Sequence, residues 1–255
     1  MSKFIPSLLV IIFTTTLIGC AEVDSENIRT AGFHAEITVT AKDDSTNVFT
    51  RLNTSSALDA DTIILSSGDQ LSASVPDRSI ALHQFNSHYS GTFEGPLENT
   101  EINVSFNRLG DDDAPNSRVL VPELFEIIAP DFDETFNAGD NLTLVWSPSD
   151  PSTSARVGLH INCQVFDENG FPSGSNFGVG VLVPNSGTHT VSIDDQLNSF
   201  ANGLDNLSAP GPCLLEVTVE RTNEGTLDSA FMQGGFIRAK REKSVVVNYI
   251  PLILE

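Results

Sequence analysis

Phe33-His34-Ala35-Glu36-Ile37-Thr38-Val39-Thr40 alternates apolar and polar side chains without a break. Successive side chains of a β-strand point to opposite faces, so Phe33, Ala35, Ile37 and Val39 share one face of a half-buried strand. The same period recurs at Asn47–Leu52, Thr62–Leu65, Gln70–Val75, Ser79–Phe85, His88–Phe93 and Glu101–Asn107. Turn clusters such as Lys42-Asp43-Asp44-Ser45 and Ser66-Ser67-Gly68-Asp69 separate these runs. Short strands with turn signals at this spacing predict an antiparallel sandwich. Gly and Pro punctuate the whole chain and no long amphipathic helical stretch interrupts them, so the fold class is all-β.

Beyond Asn107, the polar stretch Gly110–Ser117 reads as a loop, and Val119-Leu120-Val121 resumes apolar character before Pro122-Glu123. The expected division is an N-terminal sandwich over 32–122 and a second domain over 123–255. Ile127-Ile128-Ala129-Pro130 and Phe136-Asn137-Ala138-Gly139-Asp140-Asn141-Leu142-Thr143-Leu144-Val145-Trp146-Ser147-Pro148 resemble strands A and B of an immunoglobulin-like or fibronectin type III-like domain. The resemblance implies that Trp146 fills the space between two sheets. Arg156–Phe166 then corresponds to strand C and Leu215–Asn223 to strand F, with Leu215 where the family keeps a corner tyrosine. Asp194–Ala201 predicts one or two helical turns capped by Asp194. Two last strands are expected, Ala230–Lys240 with a bulge at Gly234-Gly235, and Ser244–Ile250. The basic run Arg238–Lys243 between them reads as an exposed hairpin tip.

The N-terminus carries a different signal. Lys3, the apolar run Leu8–Ile18 and small Gly19 have the order of a secretory leader. That run spans only about 17 Å at 1.5 Å per residue, short of a ~30 Å hydrocarbon core. Leu17-Ile18-Gly19-Cys20 resembles the lipobox of bacterial lipoproteins; the other reading is an ordinary leader with a chance cysteine. The resemblance implies removal of 1–19, acylation of Cys20 and an envelope location, with Ala21 favouring the outer membrane where the host has one. Residues 20–31, polar and aperiodic, then form a short tether. With Cys20 lipidated, Cys163 and Cys213 remain as the pair expected to bridge in an oxidising compartment; two buried thiols are the alternative. As a whole, the chain resembles poorly characterised bacterial lipoproteins with tandem β-sandwich domains, a likeness that names no activity.

Removing 1–19 takes away Lys3 and no acid, so the mature side chains total 12 basic minus 34 acidic, or −22. Such a surface is repelled by phosphate backbones, which excludes nucleic-acid binding through basic patches. No Gly-x-Ser-x-Gly, His-Glu-x-x-His, Gly-x4-Gly-Lys or Cys-x-x-Cys occurs, and the five histidines are scattered. Asp111-Asp112-Asp113 resembles the calcium-binding linker of cadherins and is the one candidate metal site, weighed against a solvated loop. The reading is therefore a non-catalytic binding or structural module of the cell envelope, with membrane contact through Cys20 and an envelope protein or glycan as partner. A calcium-dependent adhesive module and an enzyme with a loop-assembled site are the alternatives.

Overall fold

The computed structural model describes residues 22–166, 172–195 and 213–250. The expected leader 1–19 and Cys20 lie outside the described residues. The described chain is all-β. Its first half forms β1 (Glu22–Asp24), β2 (His34–Ala41), β3 (Ser45–Asn53), β4 (Thr62–Ile64), β5 (Gln70–Val75), β6 (Arg78–Ala81), β7 (His83–Phe85), β8 (His88–Glu94), β9 (Glu101–Asn107) and β10 (Ala114–Leu120). Its second half forms β11 (Glu126–Ala129), β12 (Thr135–Asn137), β13 (Asn141–Ser147), β14 (Ser154–Phe166), β15 (Pro172–Pro184), β16 (Thr188–Ser192), β17 (Cys213–Glu224) and β18 (Gly235–Ile250).

One large sheet runs through the molecule in the order β1-β4-β3-β2-β18-β17-β14-β15, with β8 on β3, β7 on β8 and β12 on β18. Two smaller sheets, β10-β9-β5-β6 and β11-β13-β16, complete the layers. The alternation of β2 and β3 delivers Phe33, Ile37, Val48 and Leu52 to a core shared with Leu71, Ile102 and Phe106 of the four-stranded sheet. A second core gathers Leu144 and Trp146 of β13 with Val157, Leu215 and Val217 of β14 and β17. The indole of Trp146 is buried there and donates to Asn185 Oδ1 at 2.7 Å.

The chain passes between the two cores three times, the last time along β18. It crosses between Val121 of the first core and Phe125 of the second, and returns after β17, so that Phe231, Ile237 and Ala239, which lie within the expected second domain, belong to the first core. β18 pairs in parallel with β2 through Gly235–Arg241, while its far end supplies Val247 and Tyr249 to the second core. Sixteen residues at about 3.3 Å each make this strand roughly 50 Å long. The two final strands and the exposed basic tip expected from the sequence are therefore one continuous strand. Arg241, at the centre of that run, is fully buried. Its guanidinium donates to the backbone carbonyls of Pro122 (3.1 Å), Lys42 (3.3 Å) and Leu97, which satisfies a charge placed at the waist between the cores. Gly234-Gly235 does not make a mid-strand bulge; Gly235 opens β18 at φ +127°, where a Cβ would lie 1.9 Å from the Ala35 carbonyl oxygen.

Three further expectations change. Residues 22–31 are not a free tether: β1 pairs in parallel with β4, and Ser25 and Thr30 are buried. The expected loop Gly110–Ser117 contains the start of β10, whose Ser117 is fully buried across a register shift from Ala114. A helical turn begins here, at residues 193–195, but it is the Ser192 hydroxyl that caps it by accepting the Asp195 N–H (3.3 Å), while Asp194 directs its carboxylate to the Gly139 N–H (2.8 Å) and the Tyr249 hydroxyl (2.5 Å); residues 196–201 lie outside the described residues.

Candidate functional site

Asp111-Asp112-Asp113 sits in the β9–β10 connection, one residue group beyond Arg108. The side chain of Arg108 is 2 % exposed and lies over the rings of Phe33 and Phe106, 5.1 and 5.6 Å from their centroids. Its Nε donates to Asp69 Oδ2 at 3.1 Å, and Nη1 donates to the Ile28 carbonyl at 2.8 Å and to Asp111 Oδ2 at 3.3 Å. Nη2 donates to the carbonyl of Ser25. Asp111 Oδ2 also accepts the Thr30 N–H at 2.6 Å, and the Thr30 hydroxyl donates to the Asp112 carbonyl. Asp113 Oδ1 accepts the Arg108 N–H at 2.7 Å. The aspartate run thus takes part in a latch that holds residues 25–30 against the first core. No group of three or more His, Cys, Asp or Glu side chains able to hold a metal ion occurs among the described residues.

The latch is electrostatically tuned. Burial pushes the Asp69 carboxyl up, but the Leu109 N–H, the Ser25 hydroxyl and the Arg108 guanidinium together hold it below the ordinary carboxylate value. For Asp111 the Thr30 N–H is the largest influence and outweighs burial, with the Asp112 N–H and Arg108 adding to the lowering. Beside the latch lies an open cleft of about 440 Å³ lined by Glu26, Arg29, Ser66 and Asp111 among others.

Cys163 and Cys213 form a disulfide between register partners on β14 and β17. Their Cα atoms are 4.1 Å apart, close to the spacing of a non-hydrogen-bonded antiparallel pair. The bridge is therefore structural, joins neighbouring strands of the large sheet, and sits at the edge of the second core.

The outer face of the large sheet carries a surface that the sequence reading did not single out. Phe49 of β3 and Phe85 of β7 flank His88 of β8, with ring centroids 4.3 and 5.5 Å from the imidazole. Arg51 lies 6.0 Å above the Phe49 ring, and on β18 Arg238 lies 4.6 Å above Phe236. Register brings these together: Arg51 opposes Glu36, and Glu36 opposes Phe236 across the parallel β2–β18 ladder. Phe85 is 64 % exposed. Each of these side chains falls on the outward parity of its strand, a signal available in the sequence. Their adjacency is not, because it depends on the β3–β8 pairing and, for Phe236 and Arg238, on pairing with a strand two hundred positions away. His83 opposes Ser90, which puts it on the same face as His88.

No family model matches the chain, and no curated protein matches it. Among solved structures, the adhesin InvE of Yersinia pseudotuberculosis matches at 12 % identity with a TM-score of 0.21, over 86 % of this chain and 60 % of that chain. The match spans less than two thirds of the adhesin, and at that score it carries no argument about fold or function.

Proposed function

We propose that the protein is a non-catalytic binding module of the bacterial cell envelope, anchored through lipid on Cys20 and built as two immunoglobulin-like sandwiches in tandem. The anchor rests on the lipobox-like Leu17-Ile18-Gly19-Cys20, and the sandwich type on Trp146 filling the second core between two layers. The observation that carries the binding role is the array of exposed Phe85 and half-buried His88 and Phe49 beside exposed Arg51, with half-buried Phe236 under Arg238. Aromatic side chains dominate interface energies because they bury large rigid areas at low entropic cost, and arginine joins them because its planar guanidinium stacks on rings and pairs with acceptors in a fixed fork. In a chain of net charge −21 this face joins apolar rings to cationic groups, and it fits a protein partner of the envelope.

The full-length processed protein, immobilised by its lipid, retains such a partner from envelope extracts. Phe49→Ala with Phe85→Ala lowers that retention about tenfold or more while leaving the melting temperature within a few degrees. Equal retention by the double variant overturns the proposal, and retention competed by glycan alone moves it to a glycan ligand. Cys20→Ser leaves the protein in the aqueous phase on detergent partition if the anchor is correct.

A further inference from the structure

The strand registers define which end of the large sheet lies nearest the anchor. Glu22 opposes Thr62 in the parallel β1–β4 ladder, so the N-terminal end of β1 and the β3–β4 loop, residues 54–61, are at the same end. Asn53 opposes Thr62 and His34, and Ala35 opposes Gly235, which brings the turn preceding β18 to this end as well. Two apolar side chains protrude here without cover. Leu58 in the β3–β4 loop is 105 % exposed, and Met232 in the turn before β18 is 77 % exposed.

The chain is seated from Glu22 onward. Beyond the β1–β4 ladder, the Ser25 hydroxyl donates to Asp69 at 2.7 Å, and Arg108 holds the carbonyls of Ser25 and Ile28. Only Ala21 separates this fixed strand from Cys20, so their Cα atoms can be at most about 7 Å apart. The polar region of one leaflet is about 5–8 Å thick. With acyl chains on Cys20 in the hydrocarbon, Glu22 is therefore at headgroup level. A flexible tether over 20–31 would instead allow an excursion of about 20 Å.

We infer that this end of the large sheet rests on the lipid surface with Leu58 and Met232 in the interface, so that the sheet strands stand on the membrane and the aromatic face is presented laterally. The inference rests on the proposed lipidation of Cys20. The acids Glu22, Asp24, Asp59 and Asp61 lie at or beside this end, so the fitting surface is zwitterionic phospholipid rather than anionic lipid.

The test uses the full-length processed lipoprotein in phosphatidylcholine vesicles that carry a chain-borne quencher. An environment-sensitive fluorophore is placed at Leu58→Cys, at Met232→Cys, or at Phe132→Cys. Phe132 is 77 % exposed and precedes Asp133, whose N–H donates to the Val246 carbonyl. Val246 lies roughly 36 Å along β18 from Gly235. Quenching at positions 58 and 232 exceeds that at 132 by fivefold or more, and a twelve-residue Gly/Ser insertion between Ala21 and Glu22 abolishes the difference. Lipid found on Cys20 by mass spectrometry together with equal quenching at all three positions overturns the inference and spares the anchor. Absence of that lipid overturns both. Quenching that requires anionic lipid overturns the assignment to a zwitterionic surface.

Discussion

The two cores share one sheet but are closed by different chemistry. The first is closed by Arg108, which gathers Asp69, Asp111 and two backbone carbonyls over the Phe33 and Phe106 rings and so fixes residues 25–30. The second is closed by the Cys163–Cys213 bridge and by the Tyr249 hydroxyl on Asp194. A latch made of carboxylates and a guanidinium responds to pH and not to reductant; a disulfide responds to reductant and not to mild acid. Because β18 runs through both cores, with Arg241 at the waist, the difference also asks whether one half can loosen without the other.

Arg241→Met breaks the arrangement most deeply. It strands the carbonyls of Pro122, Lys42 and Leu97 in a buried place, at a cost on the order of 5 kcal/mol even after relief of repulsion from Arg221, its register partner. The expected outcome in calorimetry is one transition for the native protein and two for the variant; a single variant transition at unchanged temperature would mean that the waist is not the coupling element. Reduction of Cys163–Cys213 comes next. The loop it closes spans 50 residues, and releasing it removes about 4 kcal/mol in the chain-entropy treatment. Amide exchange accelerates at Leu215, Val217 and Val247 while Ile37 and Val48 keep their protection. Uniform acceleration across both cores would erase the distinction between them.

Arg108→Met costs less, about 3 kcal/mol, because residues 22–32 can peel away and return Asp69 to water, which caps the penalty of a buried unpaired carboxylate. Tryptic cleavage after Arg29 speeds at least tenfold, since the Arg29 carbonyl accepts the Gly32 N–H in a turn that the latch maintains. The pH dependence follows from the same groups. Asp69 and Asp111 have native values below their ordinary ones, so their contribution is complete above the unfolded value of about 3.9 and disappears as pH falls through the lowered native values. Asp69→Asn flattens the acid limb of the melting-temperature profile; an unchanged limb would remove the latch as its source.

Much of the sheet framework is readable from alternation alone. Gln70–Val75 and Glu101–Asn107 coincide with β5 and β9, and Trp146 fills its core, because each depends on burial of one face of a local segment. The latch and the waist are unreadable for the opposite reason. Ser25, Thr30 and Arg241 are polar residues buried against partners between 40 and 200 positions away, so locally they look like tether and hairpin tip. The aromatic face lies between these cases. The outward parity of Phe49, His88 and Phe236 is local, whereas Phe49 meets His88 through the β3–β8 ladder and Phe236 joins them only through the parallel β2–β18 ladder, which no neighbouring sequence announces.

Calcium gives the smallest expected effect and sharpens the contrast from the ionic side. A cation in the Asp111–Asp113 loop would have to take Asp111 Oδ2 from the Thr30 N–H and sit beside an Arg108 nitrogen already 3.3 Å from that oxygen. It would also have to take Asp113 Oδ1 from the Arg108 N–H. Two positive charges at that separation repel, and oxygens already engaged with donors leave fewer than the six to eight that Ca²⁺ wants. Millimolar Ca²⁺ against chelator therefore moves the melting temperature by less than about 1 °C. A ligand at a hundred times its dissociation constant would add about 2.7 kcal/mol and move it by several degrees. Asp111→Asn with Asp113→Asn lowers the melting temperature with or without calcium, as members of a latch must. A shift of several degrees that appears only with the native aspartates would make the loop a metal site and the latch its scaffold.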